Sequence, residues 1–301
     1  MGRFSRTSRL SRQSLHVGRV PRMNRPVMVV SFQGWNDAAD SASVASAYLA
    51  RAWRANAFAE IDPEEFVDFT VHRPEVRENV ARRREIVWPA TVLSHASIPG
   101  SSSDVVVVRG FEPQIRWKTY CALLLSLARS LKVERVLTLG ALLAEVAHSS
   151  PVGVSVTSTS PDLIASTGAR RPRYEGPTGI IGVLHAALEE AGIPSMALWA
   201  SVPFYVPQVS SAKAALALVS RAAELIGAEV DTADLEVAAE QYESEVDELV
   251  GEDEEVASYV ARLRDSAADP DEAMSDLVHR DPGGHELAAE IERFLREHRH
   301  Q

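Results

Sequence analysis

Val105-Val106-Val107-Val108-Arg109-Gly110-Phe111-Glu112-Pro113-Gln114-Ile115-Arg116-Trp117 is the stretch on which the fold turns. Four successive β-branched valines without polar alternation make a strand that is buried on both faces. After the Gly-Phe-Glu-Pro break, Trp117, Tyr120, Cys121, Leu124, Leu125, Ala128 and Leu131 recur at steps of three and four, which gives a helix with one apolar face. A doubly buried strand that runs into an amphipathic helix is the unit of a layered α/β fold, because the helices supply the cover the strand needs.

The same alternation continues in both directions. Residues 27–32, 66–71, 133–139, 154–159 and 196–202 read as further strands, and residues 38–55, 178–191 and 211–226 as helices. The expected body, residues 26–228, is a mostly parallel sheet between two helical layers. Beyond Gly227 the strands stop. Leu235, Ala238, Ala239, Tyr242, Val246 and Leu249 trace one helical stripe, and Val256, Tyr259, Val260 and Leu263 trace another. A last stripe, Leu287, Ile291, Phe294 and Leu295, follows a Pro/Gly-punctuated stretch. Residues 1–25 hold seven arginines and no acidic residue, the profile of a flexible basic arm whose removal leaves folding intact.

Charge divides along the same lines. Residues 1–228 carry 25 Lys and Arg against 19 Asp and Glu, whereas residues 229–301 carry 6 against 23, for a net charge of -11 over the 301 residues. The acidic helical segment 229–301 repels nucleic acid and anionic lipid, so neither is an expected partner. No apolar run approaches the roughly 20 residues of a membrane helix. One cysteine, Cys121, excludes an internal disulfide and a thiolate zinc cage, and a reducing cytoplasm is the expected compartment.

Catalytic signatures are absent: there is no phosphate-binding or dinucleotide-binding glycine loop, no nucleophile elbow and no His-Glu-x-x-His. No catalytic residue, cofactor or metal is expected. Three junctions at predicted strand ends remain, where open α/β sheets bind ligands. The first is Gln33-Gly34-Trp35-Asn36-Asp37-Ala38, in which Asn36 or Asp37 bonds a ligand or, more commonly for such residues, caps the next helix. In the second, Glu112 and Arg116 clamp a polar ligand or pair with each other, and the pair is the expected arrangement. The third, Tyr174-Glu175-Gly176-Pro177-Thr178-Gly179-Ile180, opens a helix whose free N–H groups suit an anion or which simply packs closely on the sheet. Gly34, Asn36, Asp37, Glu112, Arg116, Glu175 and Thr178 are therefore the candidate lining of a ligand or partner cleft. Gly140-Ala141-Leu142-Leu143-Ala144-Glu145 is a fourth, less polar junction, read as packing.

Taken in order, Val29 to Ala38, Gly110-Phe111-Glu112-Pro113 with Arg116-Trp117, Gly140 to His148, and Tyr174 to Gly179 resemble the bacterial, actinobacterial branch of the proteasome assembly chaperone family. The resemblance spans roughly residues 27–227. It implies a three-layer α/β/α sandwich similar to phosphorylase/hydrolase-like folds, self-association as a dimer or trimer, proteasome subunits or another protein as partner, and a non-enzymatic assembly or scaffold role. Relatives that dock on proteasome α-rings do so through a hydrophobic-Tyr-X tail, and this chain has Arg299-His300-Gln301 instead. The rival expectation is an enzyme or ligand sensor acting on a nucleoside-like or peptide-like molecule in the cleft. The two differ in whether Asp37, Glu112, Arg116 and Glu175 converge in one open pocket or are spent as caps and ion pairs.

Overall fold

Val105 and Val107 face one hydrophobic layer of the sheet while Val106 and Val108 face the other, and all four are fully buried. The alternation follows from the two-residue repeat of a strand, and it requires cover on both sides. The computed structural model, which describes residues 14–79 and 82–265, supplies that cover.

The strands are β1 (Leu15–Val17), β2 (Val27–Gln33), β3 (Asn56–Ile61), β4 (Glu75–Glu78), β5 (Arg84–Val87), β6 (Thr91–Ala96), β7 (Val105–Phe111), β8 (Arg135–Ala144), β9 (Val154–Thr157) and β10 (Ser195–Pro203). The helices are α1 (Ser41–Ala52), α2 (Trp117–Ser130), α3 (Pro161–Thr167), α4 (Ile180–Glu190), α5 (Ala212–Ile226), α6 (Ala233–Gly251) and α7 (Glu254–Asp265). Eight strands form one sheet in the order β1-β3-β6-β7-β2-β8-β10-β9, and β4 and β5 make a separate hairpin. On one face α1 and α5 pack through Ala45, Leu49, Leu218 and Val219, and on the other α2 and α4 pack through Tyr120, Leu124, Ile181 and Leu184. The architecture is a three-layer α/β/α sandwich.

The expected mostly parallel sheet is parallel only at its centre. Strands β7, β2, β8 and β10 run together, whereas β1, β3, β6 and β9 join antiparallel. Strands β3 and β6 carry Asn, Glu, Ser and His on the sheet's periphery, so their apolar signal is weaker than that of the valine-rich centre. Residues 66–71, expected as a strand, form a turn instead. Asp68 Oδ1 accepts hydrogen bonds from the Thr70 N–H (2.8 Å) and hydroxyl (2.6 Å), and this closes the chain on itself. Phe66 and Val67 are apolar because that turn is pressed onto the core beside Tyr120.

The arm expected over residues 1–25 is structured from Ser14 onward. Leu15–Val17 adds an antiparallel edge strand to β3, the Asn24 N–H donates to Asp104 Oδ2 at 2.9 Å, and Arg25 pairs with Glu134 at 2.7 Å. Backbone pairing, which no apolar pattern advertises, holds it there. At the other end α6 packs along α5, and Tyr242, Val246, Val250 and Val260 join Ala147, Tyr205 and Val206 in a third cluster. The last predicted helix and the Arg299-His300-Gln301 tail lie outside the described residues.

Candidate functional site

Strand β2 carries the first junction to the carboxyl end of the sheet, where Asn36 remains 1% exposed. The Asn36 carbonyl accepts the Ala141 N–H at 2.9 Å, which tethers the junction to β8. Gly34 takes φ +133°, a backbone conformation that side chains rarely adopt, and a Cβ there would stand 3.2 Å from the Glu112 Cβ. The glycine thus lets the first junction turn against the second.

Glu112 receives three N–H groups. Its Oε1 accepts the Asn36 side-chain amide at 3.0 Å and the Ile180 backbone N–H at 2.9 Å, and its Oε2 accepts the Trp35 N–H at 3.3 Å. Ile180 is the first residue of α4, so the carboxylate occupies the electropositive end of that helix, where a bound anion would otherwise sit. Gly179 makes the approach possible: a Cβ on it would lie 2.6 Å from Asn36 Oδ1 and 2.9 Å from Glu112 Oε1. All three junctions therefore meet, and they meet as a closed latch of the chain's own groups.

The remaining candidates diverge from it. Asp37 turns inward and uses Oδ1 to accept the N–H groups of Ala42 (2.6 Å) and Ser43 (3.2 Å) at the start of α1, the capping role considered for it. Its Oδ2 is buried with no partner, and burial raises its pKa against the lowering effect of those hydrogen bonds. The expected Glu112–Arg116 pair does not form. Arg116 instead meets Glu65 at 3.1 Å, because Glu112 is drawn back to the first and third junctions. Glu175 and Thr178 are exposed on the loop before α4 and reach none of the other candidates. At the fourth junction a Cβ on Gly140 would lie 2.5 Å from the Trp199 ring, so packing is what this glycine serves.

A second polar constellation gave no signal in the sequence. His148, with a fully buried side chain, donates from Nε2 to Asp247 Oδ1 at 2.9 Å and accepts the Tyr205 hydroxyl at Nδ1, 2.7 Å away. That tautomer follows from the carboxylate's being an acceptor only. Lys213 Nζ donates to the His148 carbonyl at 2.8 Å and pairs with Glu243 of α6, while Arg264 of α7 reaches Asp247 at 3.3 Å. The hydrogen bond from His148 holds the Asp247 carboxyl below the usual carboxylate range. With the imidazole sealed from solvent, this Asp-His-Tyr chain fastens α6 and α7 to the body. Asp247 is 99 residues from His148 and Tyr205 is 57, and of the three only His148 lies in a quoted motif, at the end of Gly140 to His148.

Among the described residues no group of three His, Cys, Asp or Glu side chains could hold a metal ion. Cys121 is buried, and desolvation pushes its thiol up to about 12, far from a reactive thiolate.

Residues 31–250, which contain the latch and helix α4 whose start it holds, match the family model described as the PAC2 family. The chain belongs to the PAC2 family. A PAC2 family protein from Streptomyces avermitilis is 44% identical, with a TM-score of 0.73 over 78% of this chain and 99% of that one. A proteasome-assembly chaperone homologue from Mycobacterium tuberculosis is 45% identical, with a TM-score of 0.70 and the same coverage. The fold extends to PbaB of Pyrococcus furiosus, an archaeal proteasome activator, at 17% identity and a TM-score of 0.63 over 78% of this chain and 97% of that one. No curated protein matches. The PAC2 match ends at residue 250, so it includes nearly all of α6 but not α7.

Proposed function

We propose that this PAC2 chain is a non-catalytic, assembly-chaperone-like or scaffold protein that works as a homo-oligomer in the cytoplasm, with proteasome subunits as the first partners to test. The latch carries this reading. An enzyme of this architecture needs free polar groups at the carboxyl ends of its strands, and here both oxygens of Glu112 are engaged by N–H donors from the neighbouring junctions. The rim around the latch is apolar and exposed: Trp35 is 65%, Ile115 50%, Tyr174 44% and Leu143 37% accessible. Large apolar side chains standing in water at one end of a sheet suit a protein partner better than a small polar ligand.

The description of one 45%-identical relative as a proteasome-assembly chaperone homologue supports the same reading. An affinity pull-down from native lysate, with mass spectrometry of the captured proteins, tests it. Enrichment of proteasome subunits that falls with Trp35→Ser is the expected result. Turnover of nucleosides, esters or peptides that disappears in Glu112→Ala would overturn it in favour of an enzyme.

A further inference from the structure

The hairpin of β4 and β5 stands apart from the sheet, and every residue of its strands is exposed except Val87, which is half-buried. A two-stranded hairpin is at best marginally stable alone in water. Val76 lies directly across from Ile86, so both project from one face; Trp88, just past β5, packs its ring on Phe69 with centroids 4.9 Å apart and leaves about half of itself open. The three are 52%, 49% and 49% exposed. Around this stripe the segment 72–88 carries Arg73, Arg77, Arg82, Arg83 and Arg84 against Glu75, Glu78 and Glu85.

Helix α6 presents the opposite chemistry. It contains seven carboxylates and no basic residue. Its inner face, Leu235, Ala239, Tyr242, Val246 and Val250, is buried, and Glu243 and Asp247 are paired with Lys213 and with His148 and Arg264. Its outer face forms an open groove lined by Val237, Glu240, Gln241, Ser244, Glu245 and Glu248. Val237 is 54% exposed there.

We infer that the β4–β5 hairpin of one subunit lies across the outer face of α6 in a second copy of the chain. Val76, Ile86 and Trp88 cover Val237, and Arg82 to Arg84 meet Glu240, Glu245 and Glu248. Within one molecule the two surfaces do not cover each other, since Val76, Ile86, Trp88 and Val237 all stay about half-exposed. The hairpin precedes β6, α6 packs on α5 beside β10, and strands β7, β2 and β8 stand between those two flanks at about 4.8 Å per step. Because hairpin and helix are different patches, the contact is heterologous and closes as a small ring, or as a dimer when both contacts form reciprocally. The inference deepens the homo-oligomer part of the proposed function and rests on it.

Charge reversal tests it, with mass read by light scattering and folding by circular dichroism. Arg82→Glu, Arg83→Glu and Arg84→Glu together, and separately Glu240→Arg, Glu245→Arg and Glu248→Arg together, are expected to weaken association at least tenfold without loss of fold, since all six side chains are exposed. Both sets combined in one chain restore the oligomer, because the reversed hairpin then meets a reversed helix. Trp88→Ser weakens association while leaving the charge unchanged. A wild-type oligomer that both reversals leave intact overturns the hairpin assignment alone, and a monomeric wild-type chain overturns the homo-oligomer reading with it. Failure of the combined variant to recover, or loss of a captured heterologous partner with mass unchanged, would also reject the second-copy assignment.

Discussion

Glu112 decides how the carboxyl end of the sheet is used, and its two oxygens have different tasks. Oε1 serves Asn36 and Ile180, while Oε2 serves Trp35. Glu112→Gln leaves one accepting oxygen and points an NH2 group at an N–H donor. We predict a loss of about 1–3 kcal/mol in urea unfolding with an unchanged denaturant slope. Gly179→Ala should cost a similar amount, because the added Cβ displaces the Asn36 amide from the same carboxylate. His185 offers a pH test away from the latch. Its ring is held between Thr138 Oγ1 and Ser195 Oγ, each 2.8 Å away, and desolvation lowers its pKa from 6.5 to about 4. Between those values the unfolded chain binds a proton that the folded one refuses. Stability should therefore be fully present above about pH 6.5 and fall, by up to ~3 kcal/mol, as pH drops toward 4. Denaturant midpoints across this window should show a shallower slope for His185→Gln.

At the scale of elements, the two chain segments that flank the sandwich are held by different forces. Strand β1 contributes backbone pairing and little apolar burial, with the Asp62 N–H donating to the Ser14 carbonyl at 2.8 Å as its anchor. Deleting residues 1–25 removes that edge together with the Asn24 and Arg25 contacts. A loss of roughly 2 kcal/mol, or a fall in melting temperature of about 4–8 °C, is expected by calorimetry. Helix α6 is instead held by its buried stripe, and Tyr242, 4% exposed, is its largest anchor. Tyr242→Ala should cost about 3 kcal/mol, and limited proteolysis should then open the chain near Gly251 before the central strands are cut.

For the whole molecule, the contrast between an evenly charged body and an acidic C-terminal segment is a source of specificity that salt can reveal. Seven carboxylates on α6 repel one another across a helix that is nonetheless buried on its inner side. In the proposed contact an arginine-rich hairpin from a neighbour would relieve that repulsion at the outer face. Raising salt from about 0.1 M to about 1 M shortens the screening length from about 10 to 3 Å, so the oligomer's mass should fall while its circular dichroism stays constant. Association that persists unchanged at high salt would mean that the apolar stripe alone carries the contact.

The sequence by itself determined the layered α/β class, the strands that fill the sheet's centre and the helices that cover them, because doubly buried valine runs and one-sided helical stripes impose burial wherever they occur. It also located the three polar junctions and, through the order of four motifs, the family. What only the tertiary structure decided was pairing. Peripheral strands β3 and β6, each with polar residues, joined the sheet through backbone hydrogen bonds that leave no apolar signature. The turn at Phe66 imitated a strand because its apolar residues face the core without extending. Glu112 chose Asn36 and Ile180 over its neighbour Arg116, and His148 found Asp247, because the position of a hydrogen-bonding partner is set by how the layers stack rather than by distance along the chain. Local periodicity reports which residues must be buried; the stacking of the layers fixes which polar groups then lie within about 3 Å of each other.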